Sequence, residues 1–533
     1  MKTHRYPSVA AAFAASAERG PGRVFLHVLP ETAAVYGIAA GDITYGAAAE
    51  AIARLRGAYA EAGYGRGHRV GLMLENRPAF FLHWFALNGL GISVVPLSTA
   101  LRPAELEYLV RHSEIALAVL ARGHRPDLAC PAMVEDAPPP PAAQRLDPWP
   151  PPDEAGECAL LYTSGTTGRP KGCVLSNRYF LRTGEWYNEM GGLCALRPDD
   201  RLLTPLPLAH VNAMAFSSMA MVLIGGCLIQ LDRFHPSTWW ESVRASGATI
   251  FHYLGVMPSM LLGAAPDLRE RDHCLRFGFG AGVDRRLHAL AEARFGVPLM
   301  EVWAMTETGG GAATGVSRPP RHVGEGCIGW AEPFMEALVV DDSGAPCPPG
   351  VPGEFLVRAA GPDPRAGFFT EYLKDEAATA QAWAGGWFHT GDVVRADADG
   401  YFYFVERKKN LIRRSGENIA AAEVESVLRR HALVADVAVA PTPDATREEE
   451  VLACVVPHAT IEPARMAEAA EDIVRAALEE LSYFKVPGWV AFVEALPLTA
   501  SQKVARGELK ELARRLPGME GCVDTRALKR RGG

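Results

Sequence analysis

Residues Tyr162 to Gly172 read YTSGTTGRPKG and follow an apolar stretch, Glu157 to Leu161, that suits a buried strand. From Thr163 onward ten residues hold three glycines, four hydroxyl side chains (Thr163, Ser164, Thr166, Thr167), Arg169 and Lys171. Glycines let a backbone turn tightly and aim N–H groups at an anion. The hydroxyls donate further hydrogen bonds, and the two cations supply charge. A P-loop NTPase would need glycine before the lysine and Ser or Thr after it. Pro170 and Gly172 stand there instead. A loop that grips a polyphosphate is expected, and a Walker-type NTPase is not.

The bulk of the chain sets wide bounds. At 533 residues it exceeds what one hydrophobic core organises, so more than one domain is expected. A net charge of −8 without a long basic run argues against nucleic acid as a partner. The ten cysteines form no C-x-x-C pairs, so neither a zinc site nor a disulfide framework is expected. No apolar run approaches the roughly eighteen residues of a membrane span, and Met1 to Arg23 lacks the apolar core of a signal peptide. A soluble, cytoplasmic protein is the expectation.

Along the chain, helical and extended patterns alternate. Helices are predicted over residues 45–63, 78–87, 104–112, 237–245 and 285–295. Strands are predicted over residues 70–74, 92–96, 115–120, 227–231, 249–254, 275–280 and 298–303. Such alternation predicts parallel sheets covered by helices. The proline-rich segment 136–154 reads as a surface connection. Residues 324–394 turn rich in glycine, proline and short strands, which suggests a smaller β unit. Beyond Arg407 an α+β pattern follows, long enough for a separate domain. Residues past Gly518, ending ALKRRGG, read as a disordered basic tail or an interaction segment, and a disordered tail is the expectation.

TSGTTGRPKG closely resembles the ATP-binding loop of the adenylate-forming superfamily: acyl-CoA synthetases, stand-alone adenylation domains and luciferases. Further motifs follow in the family's order, so the resemblance runs from about residue 20 to about residue 510. It implies an α/β protein with a large N-terminal domain of parallel-type αβ sheets and a small β-barrel-like subdomain, residues 1–408. A small mobile α+β C-terminal domain, residues 409–533, would follow, with its hinge at Lys409.

The site residues are implied by the same resemblance. Thr163, Ser164, Gly165, Thr166, Thr167, Gly168 and Lys171 would cradle ATP, with Thr163 also near the metal. EVWAMTETGG at Glu301 to Gly310 resembles a YGMTE motif at a strand end. In it Thr306 would contact the α-phosphate and Glu307 would hold Mg²⁺, a hard cation that takes oxygen ligands. Trp303, Ala304 and Met305 replace or continue the family's Tyr-Gly shelf for adenine; stacking should survive an indole there. GFGAG at Gly278 to Gly282 resembles the turn along adenine and the acyl chain, which nominates Gly280, Ala281 and Gly282. His210, in TPLPLAHVNA, would stand at the mouth of the acyl pocket.

Toward the C-terminus, Asp392 in WFHTGD would accept the ribose hydroxyls, and Arg407 would reach ribose and phosphate. Gly416 and Glu417 in SGENI would line the pantetheine path of CoA. Lys503 in LPLTASQK would enter the site for adenylation, although Gln502 stands where the family has glycine. The run from Phe402 to Ile419 looks most like the carnitine/crotonobetaine-CoA ligase branch. The resemblance therefore implies an AMP-forming acyl-CoA ligase using ATP, Mg²⁺ and CoA on a small carboxylic acid. Two alternatives stay open: an adenylation enzyme loading a carrier-protein thiol, and a silent acyl-nucleotide binder. A homodimer is a further assembly the family allows.

Overall fold

A computed structural model describes residues 5–101, 103–147, 151–163, 170–414, 417–444, 447–499 and 504–529. Strand Glu157–Thr163, the one expected ahead of the glycine loop, sits inside a seven-stranded sheet. Its neighbour Ser93–Pro96 runs parallel, but the strand after the loop, Lys171–Ser176, returns antiparallel with Thr163 opposite Lys171. The expected parallel alternation is therefore interrupted at this point. A parallel return needs a crossover of a dozen or more residues, and the segment between Thr163 and Lys171 is too short for one. Residues 164–169, which span the turn, lie outside the described residues.

A second sheet has eight strands. Its central six are parallel, with antiparallel strands Gly41–Thr44 and Thr314–Gly315 at the two edges. Three of the parallel strands, Ile250–Leu254, Phe277–Ala281 and Leu299–Trp303, lie side by side and end at the same edge. Helix Asn177–Glu189 covers them with a face that includes Tyr179, Trp186 and Tyr187. The helix starts where it does because the Ser176 hydroxyl accepts from the Tyr179 N–H. The β-rich stretch forms a five-stranded antiparallel sheet between Cys327 and Arg407.

The apolar core divides where the sequence pattern changes. One large cluster runs from Val9 to Phe402, and another gathers Ile412, Val424, Val437, Ile473 and Val490 around the C-terminal strands. There a long antiparallel pair, Val434–Asp444 and Glu448–Pro457, is packed by helices Ala421–Leu428 and Met466–Leu478.

The expectation of a disordered tail beyond Gly518 is wrong for residues 519–529. Strand Cys522–Asp524 pairs antiparallel with Trp489–Phe492. Lys529 then buries its whole side chain, with Nζ 2.5 Å from Glu450 Oε1 and 2.6 Å from the Val486 carbonyl. Arg414 closes on the same carboxylate from the other side at 2.9 Å. Burial pulls the Lys529 ammonium down to about 8, although Glu450 favours its charge. The tail's basic composition suggested solvent, but its lysine serves as the counter-charge of a buried glutamate. Removing Lys529 takes one cation from Glu450 and leaves Arg414 and Arg447 on its carboxylate. Lys529→Ala is therefore expected to destabilise the C-terminal unit by about 2 kcal/mol, the worth of a hydrogen bond to a charged group, seen as a lower urea midpoint; an unchanged midpoint would contradict this placement.

Candidate active site

The carboxyl end of the eight-stranded sheet and the central strand of the five-stranded sheet, Phe388–Ala396, meet at Asp392. Trp303, the last residue of its strand, donates from Nε1 to Asp392 Oδ2 at 2.8 Å. Arg407, opposite Asp392 in the antiparallel register, brings Nε to 2.6 Å from Oδ1. That approach lacks hydrogen-bond geometry, so Oδ1 is a buried acceptor that receives no donated hydrogen. Burial raises the Asp392 pKa, and Arg407 and the indole N–H draw it back down. A buried acceptor without a donor calls for a partner. Ribose hydroxyls supply the donors it lacks, so the residues present fit a nucleotide here.

The indole of Trp303 packs edge-on against Phe355 at 4.9 Å, which fixes its plane.

Beyond Trp303 the chain turns through Ala304, Met305 and Thr306, all half-buried, to the buried Glu307. The Thr308 hydroxyl accepts from the Met305 N–H at 2.9 Å, and Tyr179 donates to the Thr306 carbonyl at 2.8 Å. Glu307 Oε1 accepts from the Tyr372 hydroxyl at 2.9 Å. Tyr372 belongs to the short strand Glu371–Tyr372, which pairs with Lys171–Ser176. Lys171 Nζ lies 4.8 Å from the centre of the Tyr372 ring and 4.0 Å from Asp375. Thr163, Lys171, Tyr372 and Glu307 are thus brought to one place from three segments of chain.

Among the described residues no group of three or more His, Cys, Asp or Glu side chains could hold a metal by itself. A single carboxylate suits Mg²⁺ in a site where phosphates and waters complete its shell. Glu307 fits that donor set.

Gly280 and Ala281 end strand Phe277–Ala281, and Gly282 follows at φ +82. A Cβ at Gly280 would meet the Tyr253 carbonyl at 2.2 Å, so the strands there close only around glycine. The turn is tied down by Glu301, whose carboxylate accepts from the N–H groups of Gly282 (2.9 Å) and Val283 (3.3 Å) and from the Tyr253 hydroxyl (2.9 Å). Burial pushes the Glu301 carboxyl above its ordinary range. His210 is exposed at the head of a π-helical turn, Asn212–Ser217.

Sequence reasoning passed over Tyr372 and Glu301. Glu301 carried a usable signal, an acid two residues before Trp303 and so on the same strand face. Tyr372 carried none, because its role depends on strand pairing across the fold.

Other expected residues lie outside what the structure describes. Ser164, Gly165, Thr166, Thr167, Gly168, Gly416 and Lys503 are among these, as are the side chains of Lys409 and Glu417. The backbone at Lys409 forms one 3₁₀ turn, Lys408–Asn410, directly after strand Tyr401–Arg407. On its near side Lys408 is held to Glu354 at 2.8 Å. Across the turn, Glu406 accepts from the Ala422 N–H at 2.9 Å.

This geometry agrees with the comparisons to known proteins. Residues 13–364 match the model of the AMP-binding enzyme family, and residues 423–503 match that of the AMP-binding enzyme C-terminal domain. A crotonobetaine/carnitine–CoA ligase of Escherichia coli O17:K52:H18 is 31% identical over 475 residues, 84% of this chain and 89% of that one. Its counterpart in Salmonella arizonae is 30% identical over 514 residues, covering 90% and 96%. Among solved structures, the o-succinylbenzoate CoA synthetase of Bacillus subtilis, in complex with its acyl-adenylate intermediate, superposes with a TM-score of 0.79 at 23% identity. The match covers 95% of this chain and 98% of that one. ATP-bound MatB from Rhodopseudomonas palustris gives 0.77 at 24% identity, covering 95% and 99%. The chain belongs to the AMP-binding enzyme family and is one of its AMP-forming acyl-CoA ligases, which are acid–thiol ligases.

Two substitutions test the geometry. Asp392→Ala is expected to raise the KM for ATP by about ten- to a hundredfold, the worth of a charged hydrogen-bond acceptor, while the KM for the acid stays put. Unchanged nucleotide affinity would contradict the fit. Tyr372→Phe removes a single neutral donor from Glu307. It is expected to shift the Mg²⁺ requirement by about fivefold in a magnesium titration of the rate, and no shift would separate Tyr372 from the metal site.

Proposed function

We propose that Asp392 and Arg407 hold the ribose of ATP and that the loop from Thr163 to Lys171 holds its β- and γ-phosphates. The α-phosphorus then lies before Thr306, within reach of a carboxylate admitted past His210. The observation that carries this reading is the buried, donor-less oxygen of Asp392, facing Arg407 beside the Trp303 strand end. A carboxylic acid is a poor acyl donor because oxide is a poor leaving group. Attack of its oxygen on the α-phosphorus expels diphosphate and leaves AMP as the leaving group. The CoA thiol then attacks the acyl carbon, AMP departs, and the thioester forms.

Little bond-making falls to the protein itself. Its side chains align two anions and offset charge at phosphorus, which is where most of such rate enhancement arises. Mg²⁺, held by Glu307, supplies charge neutralisation to the phosphates when bound. Lys171 adds a fixed cation and Lys503 a second one. Residues 409–533 act as a mobile unit in this proposal. Rotation about Lys409 exchanges Lys503, needed for adenylation, for Gly416 and Glu417, needed for thioester formation. The separation of the apolar core on either side of residues 403–411 supports such a unit.

A diphosphate-release screen over carboxylic acids, with and without CoA, tests the reading. Crotonobetaine and carnitine belong in it, being the acids named for the relatives. Release that needs an acid, followed by CoA-dependent release of AMP, is expected. Acid-dependent adenylation that CoA never resolves would redirect the acyl group to a carrier-protein thiol. Lys503→Ala is expected to slow adenylation by about 10²- to 10⁴-fold while sparing thioester formation from supplied acyl-adenylate. An equal loss in both halves would refute the exchange of postures.

A further inference from the structure

Below the strand ends, on the side of the sheet covered by helix Asn177–Glu189, lies a closed aromatic cluster. Phe279 stacks on Tyr187 at 4.1 Å and on His252 at 4.8 Å. Trp186 and Phe216 meet its edge at 6.2 and 6.3 Å. All of these side chains are buried, Phe279 at 1% exposure and His252 at 0%. The cluster is pinned by hydrogen bonds as well as by packing. His252 Nδ1 pairs with Asn212 Oδ1 at 2.7 Å and Ser217 Oγ at 2.8 Å, and its Nε2 pairs with the Tyr187 hydroxyl at 3.1 Å. Burial draws the His252 pKa down to about 3, so the ring is neutral.

Its place in the fold matters more than its composition. His252 and Phe279 are register partners on adjacent strands, so both point to the same face. Two residues further along, again on that face, come Leu254 and Ala281, and Ala281 is exposed where the strand ends. The turn headed by His210 runs along the same face and supplies Asn212. An acid entering past His210 and Ala281, with its carboxylate at the strand ends, would point its tail down toward Phe279.

We infer that Phe279, backed by Tyr187 and His252, is the floor of the acyl pocket and limits this enzyme to short carboxylic acids. Two residues of strand separate Ala281 from Phe279, about 7 Å, which admits a chain of about five carbons. Glycine stands on either side of Phe279, at 278 and 280, because the backbone there is pressed against Phe251 and Tyr253. Those glycines face the other side of the sheet, so Phe279 is the one residue of Gly278–Gly280 whose side chain reaches the pocket face. Hydrogen bonds on both nitrogens of His252 hold the floor in one position, so it does not swing aside as a lone phenylalanine could.

The inference rests on the adenylation reading, and the two fail differently. Diphosphate release is measured for unbranched acids from acetate to decanoate, and for ω-substituted acids of the same lengths, using the full-length protein. The wild type is expected to lose kcat/KM by about tenfold or more for each added methylene or two beyond the limit. Phe279→Ala is expected to move the optimum to longer acids, raising kcat/KM for octanoate about tenfold or more, with an unchanged KM for ATP. Phe279→Leu, which keeps most of the volume, is expected to give a smaller shift in the same direction and serves if the alanine variant does not fold. A wild type that takes octanoate as readily as butyrate would overturn the length limit while leaving adenylation intact. So would a folded variant with the wild-type length profile. If no acid of any length released diphosphate, the adenylation reading would fall, and the inference with it.

Discussion

The structure depends on how one buried carboxylate is compensated. Asp392 is 1% exposed, and an ionised carboxylate at that depth is costly unless it is paired and hydrogen-bonded. Trp303 supplies the hydrogen bond from the large mixed sheet, and Arg407 supplies the charge from the neighbouring strand of the small sheet. Each partner comes from a different part of the chain, so the interaction fastens the end of one sheet to the central strands of another. Arg407 is also the last residue of its strand, directly before the turn that leads into the C-terminal unit. One ionic contact therefore connects the base of the proposed nucleotide site to the point where the chain passes between cores.

A second constraint is the hairpin between Glu157 and Ser176. Because its return strand is antiparallel, Lys171 comes back opposite Thr163 and against Glu371–Tyr372. Tyr372 then bridges the hairpin to Glu307. In the proposed reading the phosphates and the metal sit between these two constraints, and the acyl group points away from both, beneath Ala281. In the same reading the depth available there is set by the packing of Phe279 against Tyr187 and His252 on that same face. In that reading nucleotide binding and acid selection draw on one strand, Phe277–Ala281, through its carboxyl end and its middle residue.

Much of the architecture was legible because the chain punctuates itself. Helix Arg285–Phe295 runs between Asp284, whose side chain caps it, and Gly296 at φ +71, and both signals are local. Buried strands such as Leu299–Trp303 stood out as short apolar runs. The resemblance nominated Glu307, Asp392 and Arg407, and the fold brings Asp392 and Arg407 within 2.6 Å. What stayed hidden was non-local. The indole bond to Asp392 spans 89 residues of sequence, and the bond from Tyr372 to Glu307 spans 65. The tail misled because Lys529 looks like a solvated charge until its partner Glu450, far back in sequence, is in view. The parallel alternation held for most strands and failed at the hairpin, where a short connection allows only an antiparallel return.

The central claim is that this site directs a carboxylate oxygen to the α-phosphorus of ATP. The direct test is to supply an accepted acid whose carboxylate carries ¹⁸O, let the full reaction run with CoA, and weigh the products by mass spectrometry. The account predicts a single labelled oxygen in AMP and none in diphosphate. Label in diphosphate or inorganic phosphate, or its absence from AMP, would contradict it.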